Sequence, residues 1–386
     1  MSALLNQFIE HGGQTIAELS KNLGVSVPYT TKTLNELIEI GLVQTTGKRD
    51  NYSKRAPKIY DLIATSGYFL GIDTGKDNLT FGICDFCGNM IADPVKIDFD
   101  YKDNMECFET FMKATNSYIE KSGIDKSQIK NACMSIGGRV NPEIGCAYNY
   151  FTCLGKPLAE AISEKLELPF CIDNDTRCMT YGESLKGVCR GIKNVVFVNV
   201  SWGIGIGIII DGKLYQGKSG FSGEIGHMHI YNNDIICHCG KTGCMETETS
   251  GSALLRKMNQ KLQEGGTSVL TDKVMKQHQE LTLQDILDAI QKEDVLSIES
   301  LQKMAVELGT NLAGIINTFN PEMLVIGGDL SVTGDYLTQP ICMGIKKFSL
   351  NMVSDDSQIV TSALKDHAGL IGACLMARSK ILQGHS

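Results

Sequence analysis

His227, Cys237, Cys239 and Cys244 follow the spacing His-x9-Cys-x-Cys-x4-Cys. Three thiolates and one imidazole meet the tetrahedral demand of zinc. Gly240 and Gly243 let the loop double back so that the sulfurs can turn inwards. Four protein donors leave no position for a zinc-bound water, so the metal is expected to be structural. His229 and His238 are competing imidazoles. His238 lies inside the Cys-x-Cys step, where its ring is expected to point outwards.

Glu224, His227 and Glu246 bracket the same loop. Carboxylates and an imidazole in one compact motif suit vicinal hydroxyls, as a sugar presents. The plain alternative is surface solvation of the two acids. A second constellation, Asp173-Asn174-Asp175, follows the short apolar stretch PFCI and precedes a helix expected to start near Thr176. Such strand ends carry binding groups in α/β proteins. An Asp there can accept a proton from a hydroxyl in phosphoryl transfer, or simply cap the helix. Gly-rich turns at Gly71–Gly75, Gly203–Gly207 and Gly327–Gly328 let backbone N–H groups approach phosphate, although glycine also marks ordinary strand turns. Cys84 and Cys87 have no second pair at metal spacing and are read as structural.

The elements that must position these groups fall into two parts. In residues 1–63, Leu4, Leu5, Phe8 and Ile9 recur at helical spacing. Thr15 and Glu18 form a capping-box pattern before a second helix, which Gly24 ends. Ser26 caps a third helix with Pro28 in its first turn and Thr30, Leu34, Leu37 and Ile38 on one face. Leu42–Val43 and Ile59–Tyr60 are expected to pair as wing strands. This is a winged helix-turn-helix pattern, whose second motif helix enters a DNA major groove. Val27, Pro28, Tyr29, Thr31 and Lys32 are expected to face DNA from that helix, and Arg49, Lys54 and Arg55 from the wing.

Charge supports this division. The 386-residue chain carries a formal −8, yet Lys48–Lys58 holds five basic residues and one acid. That strip is either a local phosphate-contacting element or a solvated linker, on a protein too acidic to bind nucleic acid as a whole. From Tyr68 onwards apolar strands alternate with helical segments, an α/β pattern. Strand pairs ending in Gly-rich turns near 69–90 and again near 195–214 suggest two halves of related architecture. With 42% hydrophobic and 21% charged residues, composition excludes disorder and collagen-like repeats. The most apolar run, Val195–Ile210, is broken by Asn199, Ser201 and three glycines, so no membrane span is expected. No export signal is read at the N-terminus; a reducing, cytoplasmic location without structural disulfides is the expectation.

Together these segments resemble the ROK family (repressor, open reading frame, kinase). The resemblance runs through Gly71-Ile72-Asp73, Asp173-Asn174-Asp175, GKSGFSGEIGHMHI, CHCGKTGCMETETSGSAL and NPEMLVIGGDLS to ALKDHAGLIGACLMAR. It implies an actin-like, ribonuclease-H-like domain of two α/β lobes over residues 68–386, behind the winged helix. It also implies that Asn174, Asp175, Glu224, His227 and Glu246 contact a sugar. His227 would then both ligate zinc and contact the sugar, its ring fixed by the metal.

The departures from the family's kinases are as informative. Where those carry Asp-x-Gly-Gly-Thr, this chain has Asp73-Thr74-Gly75-Lys76-Asp77. An added anion ~4 Å from phosphate in a partly buried site costs on the order of 4 kcal/mol. Where they carry Gly-Thr-Gly, it has Ser201-Trp202-Gly203. The sugar side is kept and the phosphate side altered. The expectation is a sugar-responsive transcriptional regulator, a repressor, binding operator DNA as a homo-oligomer (dimer or tetramer), with a sugar or sugar phosphate as effector. The alternative is an ATP-dependent sugar kinase with an added DNA-binding domain. In that case Asp175 is the catalytic base, Mg-ATP the cosubstrate, and Asp73, Gly75, Gly203, Gly205, Gly327 and Gly328 hold the nucleotide.

Overall fold

The protein is described by a computed structural model covering residues 1–48, 56–276 and 278–384. It divides into two compact units: Met1–Gly182 with the C-terminal segment from Gly369, and Glu183–Ala368. No helix among the described residues is long and apolar enough to cross a membrane.

The first unit begins with helices α1 (Ser2–His11), α2 (Ile16–Leu23) and α3 (Val27–Glu39). Thr15 accepts the Glu18 backbone N–H while Glu18 accepts the Thr15 N–H, completing the capping box that starts α2. Gly24 closes α2 at φ 65°, and Ser26 caps α3. The buried stripe of α3 is Thr30, Thr33, Leu34 and Leu37. Ile38, expected on that face, is exposed: its place is taken by Thr33, one turn earlier and better aligned with Leu37. Strands β1 (Val43–Lys48) and β2 (Lys58–Leu62) pair antiparallel in the register Val43 to Leu62 and Thr45 to Tyr60, with a bulge between Thr45 and Gly47. The wing strands are therefore longer than the expected segments Leu42–Val43 and Ile59–Tyr60.

A five-stranded sheet follows, ordered β5-β4-β3-β6-β9. Its strands are β3 (Tyr68–Thr74), β4 (Asn78–Asp85), β5 (Val95–Asp98), β6 (Ile129–Ile136) and β9 (Phe170–Asn174). β3, β4 and β5 form an antiparallel meander, whereas β6 and β9 extend the sheet parallel to β3. Within the stretch MIADPVKID only Val95–Asp98 forms a strand; Pro94 cannot donate to the ladder. Helix α4 (Met105–Lys121) links β5 to β6, and the short hairpin β7 (Val140–Asn141) and β8 (Cys146–Ala147) leads to α5 (Leu158–Leu166). Helix α6 (Asp175–Lys186) starts directly at the end of β9. The core joins Leu70, Ile72, Phe81, Met134 and Ile172 of the sheet to Phe108 and Phe111 of α4 and Ile162 of α5.

The second unit repeats this topology. Its sheet is ordered β12-β11-β10-β13-β14, from β10 (Val195–Val200), β11 (Ile204–Ile210), β12 (Lys213–Tyr215), β13 (Met323–Gly327) and β14 (Gln358–Thr361). Again an antiparallel meander is extended by two parallel strands beside its first member. The central strand β10 is buried at all six positions, as a strand covered on both faces requires. Helices α7 (Glu246–Thr249), α8 (Gly251–Gln263), α9 (Leu283–Gln291) and α10 (Val295–Phe319) fill the crossover from β12 to β13. Helices α11 (Asp335–Phe348) and α12 (Asn351–Asp356) precede β14, and α13 (Ala368–Gly384) returns the chain to the first unit. The equal strand orders account for the duplication visible in the sequence.

Candidate functional site

In the second unit, one donor atom each from His227, Cys237, Cys239 and Cys244 lies within 4.8 Å of every other. His227 Nδ1 stands 3.6 Å from Cys237 Sγ, and Cys239 Sγ is 3.6 Å from Cys244 Sγ. Backbone pairing folds the loop: His229 bridges Cys244, and Ile236 bridges Thr242. Gly243 sits at φ 73°, and a Cβ there would meet the Tyr231 carbonyl at 2.2 Å and the His229 ring at 2.4 Å, so only glycine fits. Burial pushes the Cys237 thiol up to about 12 and raises that of Cys244. Burial also acts upwards on Cys239, but the Lys241 backbone N–H and the neighbouring thiols outweigh it, and that thiol lies below the usual range. Three sulfurs and an imidazole so close together fit a soft metal ion. His229 is not a competing ligand: its Nδ1 faces the Thr242 carbonyl at 3.1 Å.

The acids around this loop are held in place. His227 Nε2, the nitrogen away from Cys237, lies 3.9 Å from Glu224 Oε2. Glu246 opens α7 and is buried. Its Oε2 accepts the Ile204 N–H at 3.2 Å, and its Oε1 is 2.7 Å from His238 Nδ1. Burial opposes its ionisation, but the His238 contact and the Ile204 N–H prevail and keep the carboxyl below its ordinary range. The His238 ring is 63% exposed, as expected, yet it turns back to Glu246 rather than away.

In the first unit, Asp73, Ser135 and Asp173 occupy adjacent register positions at the ends of β3, β6 and β9. Ser135 donates to Asp73 at 2.5 Å. Asp173 accepts the Arg177 Nε–H at 2.6 Å, and the Arg177 guanidinium also reaches the Val140 carbonyl at 3.3 Å. Asn174 donates its amide to Gly138 O at 3.1 Å and to Asp175 Oδ1 at 2.8 Å. Asp175 Oδ1 also accepts the Thr176 N–H at 2.8 Å, at the first turn of α6. Partial burial, and after it the charge of Asp175, raises the pKa of the Tyr150 hydroxyl.

The Gly-rich turns have local packing roles. A Cβ at Gly203 would lie 2.7 Å from Glu246 Oε2, so this glycine makes room for that carboxylate. Gly205 lies within β11 opposite Asn199. Gly75 follows β3 and donates to Asn78 O at 3.0 Å. Gly327 ends β13, and Gly328 follows beside Asn199 and Ser201. Ser201 donates to Asn199 at 2.7 Å and accepts the Asp329 N–H at 2.9 Å.

On α3, Val27, Pro28, Tyr29 and Lys32 are exposed and Thr31 is half-buried, its hydroxyl donating to Val27 O at 2.8 Å. Val27 and Tyr29 are more than half exposed. Arg49, Lys54 and Arg55 lie outside the described residues.

Residues 69–380 match the ROK family. The chain belongs to that family. Residues 2–44 match the winged helix-turn-helix DNA-binding family. Among ROK relatives, the chain is 28% identical to the xylose repressor of Caldicellulosiruptor bescii, over 95% of this chain and 92% of the relative. It is 29% identical to a glucokinase of Halalkalibacterium halodurans, but over 79% of this chain and 93% of the kinase. It resembles the crystal structure of a ROK family transcriptional regulator, a homologue of E. coli Mlc, with TM-score 0.83 and 26% identity, covering 99% of this chain and 96% of that one. The fold is shared with a Streptomyces griseus ROK glucokinase, at TM-score 0.69 and 23% identity, over 81% of this chain and all of that one.

Three residues of this ROK domain were not singled out in the sequence for what they do here. Arg177 is signalled only by its i+4 spacing from Asp173, Tyr150 by nothing local, and His238 by its place between two ligand cysteines.

Proposed function

We propose that this ROK protein is a sugar-responsive transcriptional repressor. The observation that carries the proposal is the winged helix itself: α3 presents Val27, Pro28, Tyr29, Thr31 and Lys32 on an outer face, and a repressor relative matches the chain through that segment as well as the ROK domain. Operator DNA would be bound by this face and by the wing residues Arg49, Lys54 and Arg55, as part of a symmetric homodimer or tetramer. Asn174, Asp175, Glu224, His227 and Glu246 are the sugar contacts. Zinc is the metal for His227, Cys237, Cys239 and Cys244, because three thiolates and one imidazole leave no open position for hydrolytic chemistry. When bound it would supply rigidity to the loop; His227 Nδ1 is the ring nitrogen on the Cys237 side, and Nε2 lies towards Glu224. The sugar acts by preferring one of two conformations that differ in operator affinity.

Retention of Asp175 and the glucokinase relative support a second reading, an ATP-dependent sugar kinase with an added DNA-binding domain. Lys76, Asp77 and Trp202, in turns that hold phosphate in the family's kinases, weigh against it. Calorimetric titration of Mg-ATP into the zinc-loaded protein, with and without saturating D-xylose, D-glucose or N-acetylglucosamine, separates the two. Binding no tighter than millimolar supports the repressor alone. Micromolar binding strengthened by a sugar supports the kinase.

A further inference from the structure

We propose that His238 is a positioning residue for the carboxylate of Glu246, set by the metal loop, and that it sharpens sugar discrimination. The proposal rests on the reading of Glu246 as a sugar contact.

Four observations converge on His238. Its Nδ1 is 2.7 Å from Glu246 Oε1, while Glu246 Oε2 takes the Ile204 N–H at 3.2 Å. Each carboxylate oxygen thus has a close N–H donor fixed by the chain, Oε1 lying also 3.7 Å from Cys237 Sγ, and the plane of the carboxylate is set before any ligand arrives. Glu246 is only 7% exposed, so water cannot readily replace a lost donor. The His238 ring is largely exposed and is not held by core packing; its edge meets the His227 ring at 5.0 Å between centroids and 70° between planes. Its backbone lies between Cys237 and Cys239, both in the four-donor group, so closing that group fixes the chain on either side of His238.

The loop therefore reaches the sugar contacts by two arms. His227 is one of the four donors and faces Glu224, and His238 is not a donor of that set and faces Glu246. A carboxylate held by two donors offers its remaining lone pairs in fixed directions and discriminates between hydroxyl configurations. Released from His238, it could swing to follow whichever hydroxyl is present. The loss would fall on affinity and, more tellingly, on selectivity.

The test uses full-length His238→Ala and His238→Asn proteins. Metal content is measured by elemental analysis, and affinities for D-xylose, D-glucose and N-acetylglucosamine by calorimetry. His238→Ala should keep one metal per chain, bind the preferred sugar roughly tenfold more weakly and show a smaller ratio between preferred and other sugars. His238→Asn, whose amide can donate from nearly the same place, should recover most of both. A His238→Ala protein that keeps its metal and matches the wild type within twofold in affinity and ratio overturns the proposal. So does loss of metal in both variants, which would make His238 a part of the metal loop only. Wild-type protein that binds none of the three sugars removes the reading of Glu246, and the proposal falls with it.

Discussion

Arg177 donates its Nε–H to Asp173 Oδ1 at 2.6 Å, with both side chains buried. Asp173 Oδ1 also accepts the Asn174 N–H, and the Arg177 N–H donates to Asn174 Oδ1. One ion pair therefore fixes the turn from β9 into α6, on which Asn174 and Asp175 are carried. Arg177→Met leaves the Asp173 carboxylate buried without its guanidinium and should destabilise the protein by about 3–5 kcal/mol. Asp173→Asn placed on top of it should recover part of that loss. Urea denaturation of the two variants checks both statements; an effect under about 1 kcal/mol for Arg177→Met would contradict the assigned role.

Removing the metal should loosen the second unit without unfolding the whole chain, because its large core takes only Ile225, Met245 and the packed Tyr231 from around the loop and is otherwise built mainly by the sheet and the helices α8 to α11. Cys244→Ser should lower metal content below one per chain and reduce sugar affinity together. The winged helix, which takes no part in the loop, should keep its helical signal. Native mass spectrometry and circular dichroism read these outcomes.

Asp294 caps the 25-residue α10 through Ser297 and also accepts from Ser268 and Val269. Burial acts to raise its pKa, but these hydrogen bonds outweigh it and hold the carboxyl below its ordinary value. Its stabilisation is thus present above the unfolded pKa of about 4 and is lost as pH falls through the lower folded value. Asp294→Ala should cost about 1–2 kcal/mol at pH 7. The gap between wild type and variant should narrow as pH falls below about 4. Denaturant midpoints at several pH values measure it.

Much of this was legible in the sequence. Capping at Thr15 and Ser26, the left-handed Gly24 and the spacing of His227, Cys237, Cys239 and Cys244 depend on neighbours close along the chain, and the structure holds them as expected. What was not legible depends on distant neighbours. That Gly203 makes room for Glu246, over forty residues on, shows only once the two are folded together. Ile38 reads as core until α3 is packed and Thr33 takes the inner face. Tyr150, just after the hairpin of β7 and β8, feels the charge of Asp175, and no local pattern announces it.

The exposed face of α3 should bind DNA with both a charge component and an apolar one. Lys32→Ala should weaken binding to all duplexes about equally and lower the salt slope by about 1. Tyr29→Ala should weaken binding to the preferred sequence more than to random DNA. Fluorescence anisotropy at several salt concentrations reads both. Equal slopes for Lys32→Ala and the wild type would take Lys32 out of the interface.

The most direct test of sugar-controlled repression is to select duplexes from a random library with the zinc-loaded protein. The enriched sequence is then titrated with and without D-xylose, D-glucose and N-acetylglucosamine. We expect an inverted-repeat sequence bound at nanomolar concentration, and at least one sugar that shifts its Kd by tenfold or more. Failure to enrich any sequence, or an affinity unmoved by all three sugars alongside sugar-dependent ADP release from Mg-ATP, would contradict the account.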